Sequence, residues 1–164
     1  MLDAALGSFA QRGYEATSLD AVAAASGVRK QTILYHFASK GGLLGAVIER
    51  SVAELADTLG PASQRGPAAA VDAALRLGAN RPELLELARE VVRLGPPAST
   101  TMFDALRPLL GPVDPGGQNR AVAMAAMVVA LATEVEVLRA AGLTPDAAWL
   151  RRRRRTILAE LTGS

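Results

Sequence analysis

Apolar residues recur along this chain with the rhythm of helices that bury one face. Leu2, Ala5, Leu6 and Phe9 stand at i, i+3, i+4 and i+7, and Gly13 closes the segment, so the spacing predicts a helix over 2–12. Thr17 and Asp20 form a capping-box-like pair that opens a second helix at about 18–25. Further helices are predicted over 29–37 and 39–59, the latter capped by Ser39 and followed by a loop marked by Gly60-Pro61 and Gly66-Pro67. Beyond the loop the pattern gives 67–79, 82–94, 98–110, 118–141 and 145–162, with Gly- or Pro-containing breaks between them. Pro108 is expected to kink or shorten its helix. No stretch alternates with period two for long enough to make a strand. The predicted fold class is all-α, with about nine helices: a three-helix head over 1–40 and a helical body over 41–164.

The second and third helices have the spacing of a helix-turn-helix. Ala23, Gly27 and Ile33 sit at i, i+4 and i+10. Ala23 is small enough for the next helix to approach, and Gly27 supplies the positive φ that a sharp corner needs. Val22, Val28, Ile33, Leu34 and Phe37 are expected to turn inward. Arg29, Lys30, Gln31 and Tyr35 are then left on the face that a DNA major groove would meet.

Composition narrows the function. The chain has 164 residues, half of them hydrophobic, with no cysteine and one histidine. Thiol catalysis, thiolate metal sites and histidine-based triads have no material here, so neither an enzyme nor a metal site is expected. No signal segment opens the chain, and the longest apolar run, Ala121 to Thr133, is too short to span a bilayer. A cytoplasmic protein that does not enter membranes is expected. The net charge is only +2, but Lys30 and Lys40, the only lysines, flank the third helix, and no acid lies between Ser26 and Gly42. That is a small positive patch suited to phosphate.

Phe9, Gly13, Tyr14, Thr17, the Ala23/Gly27/Val28 corner, Thr32, and Tyr35-His36-Phe37 followed by Ser39-Lys40 resemble the head of the tetracycline-repressor (TetR) family of bacterial transcription regulators. The resemblance covers Leu2 to about Val47 and beyond that is architectural only. It implies a ligand-responsive, sequence-specific regulator, in the usual case a repressor, that binds a near-palindromic operator on double-stranded DNA as a homodimer. The implied DNA-binding residues are Thr17, Arg29, Lys30, Gln31, Thr32, Tyr35, His36 and Lys40. Gln31 suits adenine, Lys30 or Arg29 suits guanine, and Tyr35 suits a thymine methyl or a phosphate. Thr17, His36 and Lys40 are better placed for the backbone.

Three features depart from the family. The chain starts inside its first helix, where family members usually carry several residues ahead of it. Arg29 stands where a Ser or Thr commonly caps the third helix, and arginine cannot accept the amide bonds of a cap. Leu34 stands where a Tyr is common. The first two of these departures keep a second reading open, a helical protein-interaction module that has lost DNA binding.

In the body, the last two helices are expected to pair with their copies in the homodimer. Met102, Phe103, Met124, Met127 and Trp149 are candidates to line a pocket for a small-molecule effector, with core filling as the ordinary alternative. No cofactor is implied. Arg151 to Arg155 turn right round a helix, so pairing of one or two of them with acids such as Glu134 or Glu136 is expected rather than a DNA stripe. Glu90, Glu134 and Glu136 suit either a cationic ligand or bridges to Arg93 and Arg139. Gly41-Gly42 is expected to weaken the first turn of the fourth helix by about 1–2 kcal/mol, as a soft joint between head and body.

Overall fold

The computed structural model describes residues 1–65, 67–106, 134, 137–138, 140–144 and 146–162, and eight helices have their bounds among them. They are α1 (Leu2–Arg12), α2 (Leu19–Ser26), α3 (Lys30–Phe37), α4 (Lys40–Gln64), α5 (Pro67–Asn80), α6 (Pro82–Leu94), α7 (Ala98–Leu106) and α8 (Ala147–Thr162). The predicted all-α class holds. Most of the expected 118–141 helix, together with Pro108, Met124 and Met127, lies outside the described residues, although positions 134, 137, 138 and 140 are helical.

Helix α4 is the axis of the molecule. At 1.5 Å per residue its 25 residues run about 37 Å. Leu43, Leu44, Val47, Ile48 and Val52 are buried along it, and it packs against α1 and α3 on one side and α5 and α7 on the other. Helix α1 lays its buried face, Ala5, Leu6 and Phe9, against α4 and α6, and α6 answers with Leu87 and Val91. One hydrophobic cluster consequently runs from Ala5 through Val52 to Met102 and Leu106, across the 40/41 boundary. Each large side chain buried this way is worth about 1.5–3 kcal/mol. Helix α8 packs on α5.

The helix-turn-helix corner follows its sequence closely. Gly27 adopts φ 68° and ψ 24°, and the amides of Gly27 and Val28 bond back to the carbonyls of Ala24 and Ala23. These two bonds satisfy carbonyls that the helix end would otherwise leave unpaired. Ala23 and Ile33 are buried beneath the corner.

Two local expectations are corrected. Ser18, not the Thr17/Asp20 pair, caps α2, accepting the Ala21 amide at 3.1 Å. Helix α4 does not stop at Leu59 but continues through Gly60 and Pro61 to Gln64, and Ala62 in this last turn is 1 % exposed. Burial of the turn outweighs the helix-breaking tendency of the Gly-Pro pair. At Gly41-Gly42 the structure has a tight corner that itself calls for a glycine. A Cβ on Gly42 would collide with the Phe37 carbonyl oxygen, which already accepts the Ser39 amide at 2.6 Å. Ala38 between them is held at φ 61°, ψ −36°, a strained γ-turn-like conformation for an L-residue. Ser39 caps α4 as expected, accepting the Gly42 amide at 2.9 Å.

Gly42→Ala is expected to destabilise the protein by about 2 kcal/mol or more, because the obstructing atom is backbone. Ala38→Gly removes strain and is expected to stabilise it by about 1 kcal/mol. Urea unfolding midpoints of the two variants check both signs.

Candidate nucleic-acid interface

Helix α3 is an eight-residue segment whose rotation is set by one side chain. Ile33 is fully buried, and Phe37, one turn later, packs partly against the same core. At roughly 100° per residue, Gln31 and Tyr35 then lie at about 160° and 200° from Ile33, pointing directly away from the core. Both are exposed, Tyr35 to 86 %. Arg29, Lys30 and His36 are also exposed and Thr32 is half-buried. His36 meets the Tyr35 ring edge-on at 5.2 Å. Leu34 was expected inside and is instead 37 % exposed, because it stands about 100° round from Ile33, on the flank of so short a helix. Arg29 occupies the N-cap without a side-chain cap bond, as its chemistry requires.

The presented surface combines two guanidinium or ammonium groups, a carboxamide, an imidazole and a phenol on one helix. That set can read base edges through bidentate bonds and meet phosphates through its cations.

Residues 1–47 match the family model described as bacterial regulatory proteins, tetR family. The chain carries a TetR-family DNA-binding head. The fold of the whole agrees. A TetR-family transcription regulator from Shewanella sp. PV-4 superposes with a TM-score of 0.72 at 20% identity over 95% of this chain and 92% of that one. A TetR-like regulator from Rhodococcus sp. RHA1 gives 0.66 at 21% identity, over 99% and 94%. A TetR-family regulator from Mesorhizobium loti MAFF303099 gives 0.51 at 24% identity over 66% of this chain, which spans 63% of that protein. Curated proteins provide no match.

Within this TetR head, the sequence-predicted contacts divide. Arg29, Lys30, Gln31, Thr32, Tyr35 and His36 are gathered on α3 or at its start. Thr17 is not on that surface. It is 1 % exposed, and its hydroxyl shares its one proton between the Gly13 carbonyl at 2.7 Å and the Ser8 carbonyl at 3.0 Å, tying the α1–α2 turn to α1. Lys40 donates to the Glu15 carbonyl at 3.2 Å and sits 4.3 Å over the Tyr14 ring. It anchors the start of α4 to the same turn while keeping ammonium protons for other acceptors. Lys30 is paired with Asp20 at 2.8 Å, a contact between neighbouring helices that the acid-free stretch around α3 had hidden. Both side chains are well exposed, so the pair is worth at most about 1 kcal/mol and is readily exchanged for a phosphate or a base.

Three of the candidate effector residues, Met102, Phe103 and Trp149, fall among the described residues, and Met124 and Met127 lie outside them. Met102 is in the core, and Phe103 packs against it on α7, whereas Trp149 is half-buried at the start of α8. Among the described residues no group of three His, Cys, Asp or Glu side chains is arranged to hold a metal, and no helix is long and apolar enough to cross a membrane. Of the arginine run, Arg153 pairs with Glu134 at 2.7 Å and Arg154 with Asp72, while Arg151, Arg152 and Arg155 are exposed, as expected of a solvated helix end.

Glu90 takes the ordinary alternative, a bridge to Arg93 at 2.7 Å, and adds a bond that sequence reasoning missed: it accepts the Tyr14 amide at 2.6 Å. The Arg93 guanidinium, and after it the Tyr14 amide, holds the Glu90 carboxyl below the ordinary carboxylate range, against the opposing effect of burial. A carboxyl depressed in the folded state stabilises the fold above its unfolded pKa of about 4.3, and loses that contribution as pH falls through the folded value. The melting-temperature advantage of the native chain over Glu90→Gln is therefore expected to be constant above about pH 5.5 and to shrink below about pH 4.3. Thermal unfolding of both proteins across that range measures it.

Proposed function

We propose that this chain is a homodimeric, ligand-responsive repressor that reads a near-palindromic operator through α3. The observation that carries the reading is the rotation of α3: burial of Ile33 turns Gln31 and Tyr35 outward beside Arg29 and Lys30. Arg29, Lys30, Gln31, Tyr35 and Leu34 are the proposed base-reading set. Thr32, His36 and Lys40 are proposed to set register on the phosphates. Thr17 is left out of the set, its hydroxyl being spent inside the head. The exposed apolar side chain of Leu34 suits a thymine methyl.

One head covers too short a site to be selective in a genome, which favours two heads on a twofold axis. The last two helices are proposed as the dimer interface, with the exposed apolar Val137 and Leu143 adding to it. An effector held in the body, with Phe103 and Trp149 as candidate contacts, is proposed to alter DNA affinity. The cytoplasm is the compartment this role requires.

Selection of bound duplexes from a random library at near-physiological salt tests the function. A near-palindrome supports it. Binding without any motif, or no binding, favours the interaction-module reading. With a cognate site in hand, Gln31→Ala is expected to lose about 1–3 kcal/mol of discrimination at one position per half-site. Lys40→Ala is expected to weaken cognate and scrambled duplexes alike. Equal losses on both duplexes for both variants contradict this division of roles.

A further inference from the structure

Most of the contact between the head and the rest of the molecule is apolar. Phe9 and Ala5 of α1 meet Leu87 and Val91 of α6 within the common core, and such packing is non-directional. A polar contact at the end of α1 is different in kind. Glu90 of α6, 76 residues away in sequence, reaches the α1–α2 turn and accepts the Tyr14 amide at 2.6 Å. Its side chain is 11 % exposed, and Arg93 holds it with Nε and Nη2, each at 2.7 Å.

The turn is shaped to receive it. Gly13 has φ +79°, and a Cβ there would stand 3.2 Å from the Glu90 oxygen. Beyond the amide, the Tyr14 ring packs on Phe9 at 5.5 Å and lies under the Lys40 ammonium, at the start of α4 and just past α3. Arg93, Glu90, Tyr14 and Lys40 thus form one line of contacts from α6 to the α3–α4 corner. A hydrogen bond from a backbone amide to a side-chain oxygen is directional, so it fixes register where apolar packing permits sliding.

We propose that Glu90 is a positioning residue that clamps the head to α6 and fixes the angle at which α3 is presented. The clamp is internal to one chain. Its consequence for DNA, that it fixes the separation of the two heads and hence the half-site spacing, rests on the dimeric reading above.

The absence of cysteine allows clean two-site spin labelling. Labels at Ala24→Cys on α2 and Arg76→Cys on α5, both exposed, report the distance from head to body. Pulsed electron paramagnetic resonance in excess unlabelled protein restricts the reading to distances within one chain. Native Glu90 should give one narrow distribution. Glu90→Gln, which keeps an oxygen for the Tyr14 amide, should stay narrow, whereas Glu90→Ala should broaden or shift it by several ångströms at unchanged helix content.

Glu90→Asp keeps the charge but withdraws the oxygen by one methylene, and should broaden the distribution too. It decides the matter if the alanine variant does not fold. A distribution unchanged in the aspartate variant, or in a folded alanine variant, overturns the proposal, as does broadening of the glutamine variant equal to that of alanine. Duplex selection with Glu90→Ala then reads the consequence separately. Relaxed half-site spacing supports clamp and dimer together, and a broadened distance without any palindrome leaves the clamp standing and removes the dimeric reading.

Discussion

An eight-residue helix does not hold its shape alone in water, so α3 exists as a helix because Ile33 is drawn into the core where α3 packs against α2 and α4. That single burial sets the rotation of α3, and the rotation decides which side chains DNA can meet. Gln31 and Tyr35 face outward for no reason of their own. They do so because they lie opposite a side chain that water rejects. Leu34 stands at a right angle to Ile33 and is left on the rim, where its apolar surface becomes available to a ligand instead of to the core.

The corners on either side of α3 hold that rotation in place by different means. Before it, Gly27 takes a left-handed conformation and closes the end of α2 with two backbone bonds. After it, Gly42 is required by proximity, since the Phe37 carbonyl lies where a side chain would begin. Ala38 tolerates a conformation unfavourable to an L-residue because both its flanks are fixed, Phe37 by the core and Ser39 by capping α4.

Polar contacts distribute over the same frame with unequal weight. Exposed pairs such as Lys30 with Asp20 and Arg50 with Asp3 add little to stability and are easily exchanged. Arg81, which joins Glu54 of α4 to Glu83 of α6, is less exposed and ties two body helices together. Glu90 differs from all of these in accepting a backbone amide of the head while nearly removed from solvent. The hydrophobic cluster supplies the cohesion between head and body, and this carboxylate supplies direction.

The sequence by itself determined whatever depends on near neighbours. The 3.6-residue period gave the helices, Gly27 the corner, Ser39 the cap of α4, and Ile33 with its flanking polar residues the outward face, because each is a matter of spacing within a few turns. Where two local rules competed, the sequence was ambiguous. The Gly60-Pro61 pair read as a stop, and the burial of Ala62 overrode it. The partners of Thr17, Asp20 and Lys40, and above all the Tyr14 amide on Glu90, were decided only by the tertiary structure, since a hydrogen bond between Glu90 and Tyr14 leaves no period or motif in the chain. A side chain's sequence neighbours fix which face it shares, but only the packing of helices against one another fixes what stands across from it.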